Sequence, residues 1–171
     1  MTARTLVLLR HAKAEAPEER PDLKRRLTTV GTNDADAAGA WLADQRLHPG
    51  LVLCSPAKRT RQTWHAVAVA LAQADPAGGS PEVHYEAGLY GGGRTEVIDL
   101  LRAVPDEIKV VLVVGHNPTM SDVSILLRPY DPAATLDELK TAGLAVHRAD
   151  GSWSQVEPGW MPLIERHTAR G

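Results

Sequence analysis

The sequence predicts a three-layer α/β/α domain on a mostly parallel sheet of about six strands, with one antiparallel hairpin. Three observations carry this expectation. Short apolar runs at Thr5–Leu9, Leu51–Cys54 and Lys109–Val114 have the length and content of strands buried on both faces. Segments with apolar residues at helical spacing alternate with these runs. The resulting order, β-α-β-α-β-α-β-α-β-β, places parallel strands side by side with helices on both faces.

The first strand, Thr5–Leu9, stops at Arg10-His11, two polar side chains that packing does not require. In an open α/β sheet ligands bind at the carboxyl ends of strands, which makes this pair the floor of a candidate anion site. A polar loop, Ala12 to Arg26, follows and carries Pro17 and Pro21 as a rim to the site. Its Lys13 is near enough to His11 to reach an anion, although a solvated loop lysine is the plainer expectation. Thr32 reads as a helix N-cap with Asp34 and Asp36 in the first turn. Ala35, Ala38 and Leu42 share a face, with Trp41 beside them, and the helix ends near Arg46 before the turn His48-Pro49-Gly50.

The second strand, Leu51–Cys54, stops at Ser55-Pro56, a serine cap followed by proline at the first helical position. Trp64, Val67, Ala68 and Leu71 form the apolar stripe of that helix, and His65 falls off it. Lys58, Arg59 and Arg61 lie in its first turns, where basic residues oppose the helix dipole, so an anion would complete the arrangement. Glu82–Tyr85 alternates as a short strand. Gly91-Gly92-Gly93 lacks the lysine and spacing of a phosphate-binding P-loop and reads as a lead into a helix capped by Thr95. Val97, Ile98, Leu101 and Val104 line that helix.

Lys109–Val114 is the strongest strand and ends in Gly115-His116-Asn117-Pro118, with Asn117 as cap and Pro118 opening a helix lined by Met120, Val123 and Leu127. Ala142–His147 is a further strand. A hairpin turn at Ala149–Ser152 leads to a return strand at Trp153–Val156, and the remaining residues read as a tail.

Bulk properties narrow the function. At 171 residues the chain suits a single domain spanning 1–171. It is 43% hydrophobic and 23% charged, as expected of a soluble globular protein. A net charge of −2 argues against a nucleic-acid partner, which needs a basic face. The single cysteine, Cys54, excludes an internal disulfide framework and a cysteine-built metal site. Only five uncharged residues separate Arg4 from Arg10, too few for a signal-peptide core or a membrane span. The expectation is a cytoplasmic monomer with no membrane partner.

Three strand ends carry the same kind of residue: Arg10-His11, Ser55 with Arg59 one turn on, and His116. In a parallel sheet these ends share one edge, so two arginines, two histidines and two helix N-termini converge. Arginine's planar fork and helix N-termini both suit a tetrahedral oxyanion, above all a phosphoryl group. A neutral imidazole can attack it as a nucleophile; His11, beside Arg10, is the better placed, and His116 would stabilise charge. Two rival chemistries fail on the letters. A cysteine phosphatase needs arginine six residues after its cysteine, and the position counted from Cys54 is Thr60. A zinc hydrolase needs a cluster such as His-Glu-x-x-His, and none occurs.

Four stretches resemble motifs of the histidine phosphatase superfamily: Leu9-Arg10-His11-Ala12, Ser55-Pro56-Ala57-Lys58-Arg59-Thr60-Arg61-Gln62-Thr63, Val114-Gly115-His116-Asn117-Pro118, and Arg26-Leu27-Thr28-Thr29-Val30-Gly31, the last without the family's proline. The resemblance spans about residues 5 to 157, and the short chain is most similar to the small phosphohistidine phosphatase branch. It implies a phosphoglycerate mutase-like fold, His11 as phosphoryl acceptor, and a phosphate pocket of Arg10, Arg59 and His116. It implies no cofactor and no metal. Its nearest match to the family's proton-donating carboxylate is Glu86, for which a solvated loop acid is an equal reading. The substrate implied is a phosphohistidine-bearing protein reached through an open cleft. A small phosphate ester, turned over by a phosphatase or mutase, and a non-catalytic phosphate-recognition domain are the alternatives.

Overall fold

A computed structural model describes residues 2–171. Six strands form one sheet: β1 (Ala3–Arg10), β2 (Leu51–Cys54), β3 (Glu82–Tyr85), β4 (Val110–Gly115), β5 (Gly143–Asp150) and β6 (Leu163–Thr168). Their order across the sheet is β3-β2-β4-β1-β5-β6. The β3–β2, β2–β4 and β4–β1 ladders are parallel, and the β1–β5 and β5–β6 ladders are antiparallel. Five helices accompany them: α1 (Thr29–Asp44), α2 (Lys58–Ala74), a single turn α3 (Gly88–Gly91), α4 (Arg94–Arg102) and α5 (Thr119–Leu127). Among the described residues no helix is long and apolar enough to cross a membrane.

The uninterrupted apolar strands are explained by the two faces they serve. Successive side chains of a strand point to opposite sides. Leu6, Leu8, Leu53, Val111 and Val113 pack with Leu101 of α4 and Met120 and Leu127 of α5. Val7, Leu9, Val52, Cys54, Leu112 and Val114 pack on the other side with Ala35, Ala38 and Leu42 of α1 and Trp64, Val67 and Leu71 of α2. The sheet is thus the middle of three layers, as the alternating pattern predicts. The apolar stripes read from the sequence for α1, α2, α4 and α5 are the ones that face it.

Five local expectations are corrected. Helix α1 begins one turn earlier than expected, capped by Thr28, whose Oγ1 accepts from the Gly31 N–H at 3.0 Å. Asp34 is therefore buried inside the helix, where its carboxylate accepts from the Gly171 N–H at 3.0 Å. Helix α2 begins at Lys58 rather than behind Ser55, which leaves the Ser55 hydroxyl free for another partner. Helix α4 begins at Arg94, where the Glu96 carboxylate accepts the Gly93 N–H at 2.8 Å in place of a Thr95 cap. The hairpin return strand is Leu163–Thr168, the supposed tail, and Trp153–Gln155 is a 3-10 turn. Trp153 is fully buried there and its indole N–H donates to the Ile108 carbonyl at 2.7 Å. Consequently β5 has antiparallel neighbours on both sides, one more such ladder than the single hairpin expected.

The loop between β1 and α1 is fastened by a close backbone approach. Thr28 N–H donates to the Lys13 carbonyl at 3.0 Å, and a Cβ built on Gly31 would stand 2.0 Å from that same oxygen. No side chain fits, so glycine is required by contact and not by a special dihedral. Gly31→Ala should destabilise the fold by about 1–3 kcal/mol through overpacking. Chemical denaturation of both proteins checks this, and an unchanged midpoint would contradict the contact.

Candidate active site

The parallel register sets the strand ends flush. Arg10 pairs with Gly115, and Cys54 pairs with Val114 and with Tyr85. The ladders continue one residue past each end: His11 N–H to Gly115 O at 3.0 Å, Ser55 N–H to Val114 O at 3.0 Å, and Glu86 N–H to Cys54 O at 2.9 Å. The rings of His11 and His116 are brought to 5.3 Å between centroids. A cavity of about 370 Å³ opens at this edge, lined among others by Arg10, His11, Lys13, Arg25, Arg59 and His116. Four of the five sequence-predicted site residues therefore share one cavity. Glu86 follows β3 on the same edge, half-buried, but is not part of the lining.

Each side chain is held by the element behind it. His11 Nδ1 lies 2.7 Å from the Ala12 carbonyl, which assigns the ring proton to Nδ1 and leaves Nε2 as the free lone pair. Arg10 Nη1 donates to the Leu139 carbonyl at 3.0 Å, and Asn117 Nδ2 donates to the same oxygen at 2.8 Å. Ser55 Oγ lies 2.7 Å from His116 Nε2 and accepts the Ala57 N–H at 3.3 Å. With the hydroxyl proton given to Nε2, His116 carries its own proton on Nδ1. Arg59 is buried on α2, and its guanidinium donates from Nη1 to the Asp22 carbonyl at 2.7 Å and from Nη2 to Asp22 Oδ2 at 3.1 Å. Thr63, one turn on, ties α2 to the loop by accepting the Ala12 N–H at 3.1 Å.

Among the described residues, five buried side-chain nitrogens lack a hydrogen-bond partner, and three of them are Arg10 Nε, Arg59 Nε and His116 Nδ1. Buried donors are normally satisfied, so three orphans on residues lining one cavity mark a place built for an acceptor. The charges are tuned to match. Desolvation, then the neighbouring His116, Arg59 and Arg10 charges, push His11 down to about 3 against the Ala12 hydrogen bond. Desolvation followed chiefly by Arg59 pushes His116 down to about 4. The ordinary histidine value near 6.5 expected from the sequence does not survive this burial, and both rings are neutral at pH 7. Desolvation likewise pushes Cys54 up to about 12, a core thiol. No cluster of three or more His, Cys, Asp or Glu side chains suited to a metal ion occurs among the described residues.

Several neighbours escaped sequence reasoning. Ser55 reads as a cap, although its hydroxyl serves His116. Asp22, Arg25 and Tyr90 carry no local signal, because their partners are distant in sequence. Asp22 sits on a 3-10 turn, Asp22–Lys24, and accepts from Arg59, from Arg25 Nε at 3.1 Å and from the Tyr90 hydroxyl at 2.6 Å. Tyr90 stands edge-on to His116 at 5.7 Å between ring centroids.

With this geometry in hand, comparison with known proteins is decisive. The profile of the histidine phosphatase superfamily (branch 1) matches residues 6–85. A Nakamurella multipartitia protein of known structure, provisionally named phosphohistidine phosphatase SixA, is 34% identical with a TM-score of 0.85, covering 99% of this chain and 98% of that one. The chain belongs to the histidine phosphatase superfamily. The structure of the protein histidine phosphatase SixA complexed with tungstate is 25% identical with a TM-score of 0.77, covering 96% of each chain. An uncharacterised protein of Mycobacterium tuberculosis is 36% identical over 168 residues, 95% of this chain and 100% of that protein.

Buried neutral histidines also make stability depend on pH. His147, read from the sequence only as strand, is fully buried on β5 between Ser124 Oγ and the Met161 carbonyl, each at 2.9 Å, and desolvation pushes it down to about 4. Its folded value, like those of His11 and His116, lies below the unfolded value of 6.5. The unfolded chain then binds more protons, so this stabilisation is whole above about 6.5 and is lost as pH falls toward 4. The denaturation midpoint should drop between pH 7 and pH 4.5, and His147→Gln should drop less over the same interval. A wild-type midpoint flat across that interval would contradict the buried neutral rings.

Proposed function

We propose that this chain is a metal-independent phosphatase that removes the phosphoryl group from phosphohistidine on a protein, acting as a cytoplasmic monomer. The observation that carries the reading is three orphaned donors, on Arg10, Arg59 and His116, on residues that line one cavity with a neutral His11 whose Nε2 is free. His11 Nε2 attacks phosphorus in line, the bond from phosphorus to the leaving group breaks, and a phosphohistidine enzyme forms. Arg10, Arg59 and His116 hold the equatorial oxygens, where charge spreads in a loose transition state. Ser55 keeps the His116 proton on Nδ1, directed at the anion. Water then attacks the phosphorus, the bond to His11 breaks, and inorganic phosphate leaves. The two arginines supply the positive charge that magnesium supplies in other phosphoryl-transfer sites.

The proton for the leaving group separates substrate classes. An alkoxide needs an acid; the carboxylate in the lining, Glu15, is engaged by Arg20 and the Arg26 N–H, and Glu86 is the other carboxylate at this edge. An imidazole already protonated on its second nitrogen leaves neutral without one. With Glu15 engaged and Glu86 set back from the lining, a phosphohistidine, whose leaving imidazole needs no enzyme acid, asks least of this site.

His11→Ala should abolish acid-quenched ³²P labelling of the protein and lower turnover at least about a thousandfold. Labelling retained in that variant would remove His11 from the covalent role. In a side-by-side panel of a phosphohistidine protein and sugar phosphates, the protein should be the better substrate. Glu86→Gln should change its turnover by less than about threefold, while slowing any alkyl phosphate by about tenfold to hundredfold. Equal slowing of both substrates would assign Glu86 a different task.

A further inference from the structure

We propose that Asp22 is a positioning residue for phosphate binding: it grips the outer end of the Arg59 guanidinium and sets the edge that meets the phosphoryl group. The inference rests on the phosphatase reading above and adds a residue to it.

The argument is one of donor accounting. Arginine offers five N–H donors in a rigid fork. Asp22 takes one from each terminal nitrogen of Arg59, through its carbonyl at 2.7 Å and its Oδ2 at 3.1 Å. The Nε donor of the same side chain is buried and unpartnered. The grip therefore spares the Nε side of the fork, the side on which a second oxyanion can still be received in bidentate fashion.

Asp22 is itself held on both oxygens. Oδ1 faces Arg25, with Nε at 3.1 Å and Nη2 at 3.0 Å; Oδ2 takes the Tyr90 hydroxyl at 2.6 Å besides Arg59. Tyr90 comes from α3 and also touches His116 edge-on. Arg25 is fixed in turn by the Glu15 carbonyl at 2.7 Å. The loop of residues 12–26, α2 and α3 are thereby drawn together through one carboxylate. That carboxylate stays ionised in the resting protein: the Tyr90, Arg59 and Arg25 hydrogen bonds hold it at about 2. The loop stands closed on Arg59 by this knot.

A carboxylate beside a phosphate site could instead be a competitor that the substrate expels. The two roles predict opposite signs. As a positioning residue, Asp22 strengthens oxyanion binding, so removing it weakens binding. As a competitor it weakens binding, so removing it tightens binding.

The test is inhibition by orthovanadate, a tetrahedral oxyanion, together with KM and kcat for a phosphohistidine protein, in wild type, Asp22→Ala and Asp22→Asn. Asp22→Ala should weaken vanadate binding by roughly tenfold to hundredfold and raise KM alongside, with the melting temperature kept, as expected when a binding group loses its support. Asp22→Asn, which keeps an acceptor oxygen for Arg59, should recover part of that loss and guards against a misfolded alanine variant. Unchanged or tighter vanadate binding in both variants would overturn the assignment, as would a loss matched by a general fall in thermal stability. If wild type neither binds vanadate nor releases phosphate from any substrate, the phosphatase reading fails instead.

Discussion

The parallel pairing of β1 with β4 is the constraint on which the site depends. Register alone puts Arg10 beside Gly115, and so puts His11 and His116 on adjacent strand ends with ring centroids 5.3 Å apart. A one-residue slip would turn every side chain of β1 to the other face and separate the two histidines. That register is held by alternate burial: Leu6 and Leu8 in one core, Val7 and Leu9 in the other. The placement of the two histidines is thus inherited from core packing, while the loop before α1 supplies Asp22, which holds Arg59.

Those loops carry charge into a poorly solvated place. Three guanidiniums and two imidazoles around one cavity, were all of them charged, would repel each other at short range, which low polarity amplifies. The molecule relieves this in two ways. The imidazoles give up their protons, and one carboxylate, Asp22, is set between Arg59 and Arg25. Arg10 has no such counter-ion within salt-bridge distance among the described residues; it leans on the Leu139 carbonyl. Desolvation accordingly lowers its affinity for a proton, with Glu138 opposing at longer range. An incoming phosphoryl dianion meets an edge short of negative charge on the Arg10 side and structured on the Arg59 side.

How much of this is legible in the sequence follows from the distance over which each feature is determined. Strands β1, β2 and β4 are buried on both faces and announce themselves as apolar runs, and the residues that end them announce the site. β6 is an edge strand, Leu163-Ile164-Glu165-Arg166-His167-Thr168, mostly exposed, so its composition reads as a polar tail. Helix starts shift because two threonines, Thr28 and Thr32, both qualify as caps, and the Gly31 contact with Lys13 decides between them. Ser55 is visible as a residue, but one hydroxyl can cap a helix or hold a histidine, and only tertiary structure chooses. Asp22, Arg59 and Tyr90 meet across three separate segments, a pairing that no periodicity encodes.

The depressed basicity of His11 bears on the second half of the proposed reaction. A ring that binds protons weakly is a poorer nucleophile but a better leaving group. For transfer from a substrate phosphohistidine the attacking and departing groups are both imidazoles, so the first step needs little intrinsic driving force. The harder demand is the release of the phosphoryl group from His11 to water. Burial that disfavours charge on His11 would discourage a stable, cationic phosphohistidine in the proposed intermediate. The same burial is a handicap with alkyl esters, where attack must expel a strongly basic alkoxide and Glu86 stands outside the lining. Desolvation of one histidine, imposed by the strand register, therefore bears on which substrates the site can process as well as on how it binds them.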